Sequence, residues 1–199
     1  MDILIFTLVT FAVVVFLNTQ DQKRRIALLG QHLGRYRIEA LMEELSQGYL
    51  RALGENDPQR REQIWGLLAG SENAIADQFT RFTSEFSRVD ESAARVSKIA
   101  LPWAARLFPS AAFDLREAFR IHSRGIADAV SPTEQRSPRD KAFTLSAELF
   151  LMQHTCHWFC RSRTVASARL LKRHQVSHAQ VLAAVSPATR RAYAELTGT

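Results

Sequence analysis

The sequence predicts an all-α chain in which one N-terminal transmembrane helix is followed by an elongated antiparallel helical bundle with coiled-coil-like packing. Three observations predict it. Residues 3–17, ILIFTLVTFAVVVFL, carry no charge and only two threonines. Beyond them, apolar residues recur at spacings of three and four through most of the chain. Neither strand-like alternation nor a Gly-rich phosphate loop interrupts that pattern.

Length and composition bound the rest. The chain has 199 residues, 46% hydrophobic and 23% charged, which is too apolar for a disordered polymer and suits one domain with an appendage. The two cysteines, Cys156 and Cys160, cannot form a disulfide framework and leave no Cys-x-x-Cys pair. A reducing compartment is therefore expected.

The apolar run comes first. At about 1.5 Å per residue, fifteen residues reach ~22 Å, so flanking residues must help to cross a ~30 Å hydrocarbon core. A cleaved secretory signal wants a basic start and a small-x-small exit. Met1-Asp2 before the run and Leu17-Asn18-Thr19-Gln20-Asp21 after it offer neither, so an anchor is expected over residues 1–20. Lys23, Arg24 and Arg25 follow the run and no basic residue precedes it. The positive-inside rule then puts the N-terminus outside and the remainder in the cytoplasm, as for a single-pass protein of a bacterial inner membrane.

Residues 21–175 are expected to form the bundle. Ile26, Leu29, Leu33, Ile38, Leu41, Leu45 and Leu50 continue the anchor helix to about Gly54, where Gly54-Glu55-Asn56-Asp57-Pro58 supplies a stop, an N-cap and a first-turn proline. Ile75, Phe79, Phe82, Phe86, Val89, Ala93, Val96, Ala100, Trp103 and Leu107 then keep a heptad, broken by Pro102. Its flanking e and g positions are mostly uncharged, which favours packing within the chain over a parallel dimer. Phe79, Phe82 and Phe86 are accordingly read as a helix-packing seam, with an exposed docking stripe as the alternative.

Ser110 is expected to cap a helix over residues 111–130, with Leu115, Phe119, His122, Ile126 and Val130 on one face. A linker at 131–138 leads to Ser137-Pro138, the cap and first turn of a long helix from Lys141 to about Gln175. Its first half is apolar nearly all round, but Glu148, Gln153, His154 and His157 argue against a second span and for a central helix. Residues 176–199 are expected to form a basic helical tail, with one helix over 177–185 and another opening at Ser186-Pro187.

Two constellations carry chemistry. His154, Cys156, His157 and Cys160 put four potential ligands within one helical stretch, and a metal or haem protein is one functional expectation from them. The competing expectation is buried cysteines with histidines bonded at the core margin, no cofactor and no metal site. Charge is the second. From Arg161 onward seven Lys/Arg face Glu195 alone, whereas the first 160 residues balance at nineteen of each sign. Arg169, Lys172, Arg173, Arg190 and Arg191 are the expected contacts for an anionic surface, an acidic partner or nucleic acid phosphates. No nucleophile elbow, zinc-protease motif or converging carboxylate pair is present, so no catalytic residue and no enzyme are expected. The sequence thus predicts a non-catalytic membrane-anchored scaffold or adaptor in an envelope-associated assembly, with the membrane and other proteins, a second copy included, as partners. A nucleic-acid tether using the basic tail is the less favoured alternative.

Overall fold

The computed structural model describes residues 2–99, 109–131 and 136–198. Among them are nine α-helices and one very small sheet, so the chain is all-α in character. The expected heptad positions Ala100, Trp103 and Leu107, the break at Pro102 and residues 132–135 of the expected linker lie outside the described residues.

Helix α1 (Asp2–Leu33) begins in the apolar run and has the length and composition to cross a membrane. Its first half is bare: Phe6, Phe11 and Phe16 are 74%, 67% and 62% exposed. Four residues past Leu17 the environment inverts, with Asp21 at 5% and Arg25 at 6%. The Arg25 guanidinium pairs with the Asp21 carboxylate at 2.5 Å, one helical turn away. It also donates to the Arg95 carbonyl at 2.8 Å and the Phe159 carbonyl at 3.5 Å, and lies over the Phe159 ring. A charge taken out of water is tolerated only when its donors are satisfied in this way.

The N-terminal helix does not continue to Gly54. It stops at Leu33, and α2 (Ile38–Gly54) starts after a turn. The reason is tertiary: His32, Arg35 and the Tyr36 hydroxyl all donate to the Glu85 carboxylate, at 3.3, 2.5 and 3.0 Å. Those three bonds hold the chain in a turn that weak helix formers Gly30 and Gly34 do not resist. The next turn is as expected: Asp57 accepts from the Gln59 and Arg60 amides, and Pro58 opens α3 (Pro58–Phe86).

The heptad past Phe86 is likewise not one helix. Helix α3 ends there, Asp90 caps the one-turn α4 (Glu91–Ala94) through the Ser92 amide, and β1 (Arg95–Ser97) follows. The absence of strands is corrected too, because β1 pairs antiparallel with β2 (Ala112–Asp114), Val96 opposite Phe113. Ser110 lies in a 3-10 turn, Pro109–Ala111, and Asp114 is the N-cap of α5 (Leu115–Val130), accepting from the Arg116 amide. Leu115, Phe119, His122, Ile126 and Val130 are all buried.

Ser137 and Pro138 open α6 (Pro138–Cys160), whose side chain cap accepts from the Asp140 amide. The long helix expected to Gln175 breaks at Arg161, which leaves helical geometry and donates to the Gln22 side chain of α1. Ser162 then caps α7 (Arg163–His174), which ends at Gln175 in the left-handed conformation. Helices α8 (His178–Ala184) and α9 (Pro187–Thr197) complete the chain, and their Val181 and Tyr193 are buried in one cluster with Leu151 and Leu170.

Helix α6 is the centre. It packs on α1, α2, α5, α7, α8 and β1, and its Trp158 indole donates to the Ser97 carbonyl at 2.8 Å. Beside it, Phe79, Phe82 and Phe86 of α3 are fully buried around Phe119 of α5, with ring centroids 5.0 to 6.0 Å away. Glu72 ties three helices, accepting from the Tyr49 hydroxyl at 2.8 Å and pairing with Lys141.

Arg25→Ala removes the guanidinium from a buried carboxylate and two carbonyls, a change worth about 3–5 kcal/mol. Denaturant unfolding of the full chain in mild detergent, followed by tryptophan fluorescence, measures it; a loss below about 1 kcal/mol, the size of an exposed pair, contradicts the assigned role.

Candidate functional site

The chemistry-bearing residues of α6 point in different directions. The His154 ring is fully buried, bonds Ser167 of α7 at 3.1 Å and lies 4.3 Å from the His178 ring of α8. Burial, with His178 second, pushes it down to about 3. His157 instead bonds Arg169 at 3.2 Å. Its imidazole is held below the ordinary value by burial and by the Arg169 and Arg173 charges. Cys156 contacts the Met152 sulfur at 3.8 Å, and burial pushes its thiol up. Burial also moves Cys160 up to about 11. Both cysteines are free thiols, and neither is a ready thiolate at neutral pH. Among the described residues no three His, Cys, Asp or Glu side chains are arranged to hold a metal ion.

Behind this helix face lies a buried polar layer that the sequence reading did not single out. The Thr155 hydroxyl donates to the Leu151 carbonyl at 3.0 Å, so it accepts from both its other partners, the His122 ring at 2.9 Å and the Tyr193 hydroxyl at 3.1 Å. That fixes His122 as the neutral tautomer with the proton on Nε2. Desolvation alone pushes His122 down to about 3. Nearby, the buried Glu148 carboxyl accepts from the Ser186 amide at 3.0 Å, and burial raises it above the usual carboxylate range. Gly125 lets α5 approach this group: a Cβ there would meet the Glu148 carboxylate and the Thr189 hydroxyl at 2.4 Å each. The layer seats α9 and the turn before it on α5 and α6. Neither of the two clefts described below is lined by His122, Glu148, Thr155 or Tyr193.

The cleft of consequence, about 760 Å³, lies between α6 and helices α1, α2 and α7. Met152, Cys156 and Cys160 of α6 form its floor, Leu29 and Leu33 of α1 with Ile38 and Met42 of α2 one wall, and Arg169 and Arg173 of α7 the other. Arg37 and Arg161 also line it, and Glu39 is the sole acid among the lining residues. A shallower groove of about 460 Å³ continues between α6 and α7 past Lys172. Three of the five cations singled out in the sequence, Arg169, Lys172 and Arg173, therefore stand along one groove system. The other two, Arg190 and Arg191, are exposed on α9, which packs on α5 and β2 instead. Arg37, Arg161 and the α1 wall were missed, because their position depends on the two helix breaks at Gly34 and Arg161.

Comparison of the chain with protein-family models, curated proteins and solved structures found no match in any of the three. The functional reading rests on geometry alone.

The buried histidine gives a pH signature. Between pH about 6.5 and 3 the unfolded chain takes up a proton at His122 that the folded chain does not, so this contribution is intact above 6.5 and lost as pH falls. Glu148 works in the opposite sense, since its raised folded value favours the protonated fold. His122→Gln removes only the first effect. Between pH 7 and 4.5 the variant is expected to lose about 2 kcal/mol less stability than the unaltered chain, read from denaturant midpoints; parallel pH curves for the two contradict a neutral buried His122.

Proposed function

We propose that the chain is a single-pass membrane protein whose helical body, an antiparallel bundle, acts as a non-catalytic adaptor at the cytoplasmic face of a bacterial inner membrane. The observation that carries the reading is the inversion along α1. Residues 3–17 leave apolar side chains bare on all sides, while Asp21 and Arg25 on the same unbroken helix are buried. A bilayer covers the first set at the level where the body covers the second. Only Lys23 and Arg24 of the basic triplet face outward, and they suffice to favour the cytoplasmic side for the body.

An adaptor reading is supported by what the body offers: a basic groove along α7, exposed Arg190 and Arg191 on α9, and chemistry-bearing side chains otherwise used in packing. Division of the cations between two places disfavours a single phosphate-tracking surface of the kind a nucleic-acid tether needs.

Two linked measurements test this. Asn56→Cys, in the exposed turn before α3, should resist a membrane-impermeant maleimide in intact cells and react after permeabilisation; labelling in intact cells overturns the orientation. Mild cross-linking in membranes followed by purification of the full chain should recover a defined set of proteins that survives nuclease and high salt. Recovery chiefly of nuclease-sensitive material, lost when Arg190 and Arg191 are neutralised, replaces the adaptor with the tether.

A further inference from the structure

The cleft between α1, α2, α6 and α7 combines two chemistries that recruitment of a folded protein does not require. Its interior is apolar, with Ile26 and Leu33 presenting surface above a floor of the core residues Leu29, Ile38, Met42 and Met152. Its margin is cationic, with four arginines against Glu39. Two of those guanidiniums bond neutral groups and a third pairs loosely with a carboxylate. Arg161 donates to the neutral Gln22 amide and Arg169 bonds the His157 ring, while the nearest carboxylate to Arg173 is Glu43 at 3.6 Å. Planar guanidinium forks beside an apolar channel fit a ligand with one anionic head and a long hydrocarbon tail.

Size and position narrow the occupant. A volume of about 760 Å³ lies within the ~300–1,000 Å³ of small-ligand sites. The α6 floor from Met152 to Cys160 is only about 12 Å long, two helical turns, too short to seat an amphipathic helix with a full set of anchors. Along α1 the cleft starts at Ile26, about 14 Å past Leu17, on the polar side of the segment that fits a membrane. Each methylene leaving a bilayer to enter it forfeits about 0.8 kcal/mol before the cleft returns it. A one-chain amphiphile faces half the cost of a two-chain phospholipid.

We infer that this cleft binds a free long-chain fatty acid, its chain along Ile26 and Leu33 over the buried floor of Leu29, Ile38, Met42 and Met152 and its carboxylate on Arg169 and Arg173. The inference rests on the anchoring half of the function proposed above and not on the recruiting half. Since Arg169 and Arg173 are exposed, replacing them leaves the packed core intact.

The test uses the full chain in phosphatidylcholine nanodiscs with a diazirine-bearing palmitate, illumination, and mass spectrometry of the labelled peptides. Labels are expected both in residues 3–17 and in the cleft segments 26–42 and 152–173. Excess unlabelled palmitate should remove the cleft labels and spare those in 3–17. The Arg169→Gln, Arg173→Gln double variant should lower cleft labelling by about tenfold or more, the loss expected for two charge-assisted hydrogen bonds, again sparing 3–17. Labels confined to 3–17, or cleft labels indifferent to palmitate and to the arginines, overturn the fatty-acid site and leave the anchor standing. Cleft labels displaced by phosphatidylglycerol more readily than by palmitate overturn it in favour of a bilayer phospholipid. Labels in neither region overturn anchor and site together.

Discussion

A helix that is apolar on every side has to be covered on every side, and α6 imposes that requirement on this chain. From Ala142 to Phe159 it buries twelve side chains, and over its second half only the stripe Gln153, His157 and Cys160, which faces the cleft, stays part-buried. Covering it takes α5 on one flank, α7 and α8 on another, and α1 with α2 on a third. The polar groups it carries inward bond to neighbouring segments, Thr155 with His122 and Tyr193, Glu148 with the Ser186 amide, His154 with Ser167, while His154 Nδ1 is buried without a hydrogen-bond partner. Together these bonds recruit α5, α7 and α9. Burial of a central helix and satisfaction of its polar atoms are thus one constraint with two faces.

The far end of α6 is where the body meets α1. The Phe159 ring lies under the Arg25 guanidinium, the Phe159 carbonyl accepts from it, and the next residue but one, Arg161, reaches Gln22. Asp21 and Arg25 sit four and eight residues past Leu17 on a helix with no break between. The segment long and apolar enough to cross a membrane is therefore continuous with a wall of the body, and the cleft beside that wall is held at a fixed distance from it. Position and chemistry of the cleft are consequences of this joint.

Much of the fold is legible in the sequence where a local signal coincides with the tertiary outcome. Asp57-Pro58, Ser137-Pro138, Ser177 and Ser186-Pro187 cap helices as their residue types require, and the buried face of α5 follows its 3.6-residue period. Where the stop is set by a distant partner, the sequence is silent. Nothing near Gly34 announces that Glu85, about fifty residues on, will gather His32, Arg35 and Tyr36 into a turn. Nothing near Arg161 announces Gln22. The heptad beyond Phe86 shows the opposite failure, a regular pattern whose Val96 is buried as a strand residue instead. The candidate site inherits these limits. Its α7 cations stand out as a charge excess, but its α1 and α2 wall exists only because the helix breaks at Gly34 and folds back beside α6.

The central claim is that the apolar segment and the body are one continuous helix locked at Asp21 and Arg25, and hydrogen exchange tests it most directly. In the full chain embedded in nanodiscs, backbone amides of residues 18–30 are predicted to exchange as slowly as those of α6, with no gap between the apolar run and the body. Fast exchange confined to residues 18–24, with slow exchange on either side, would show a hinge in place of the joint and contradict the account.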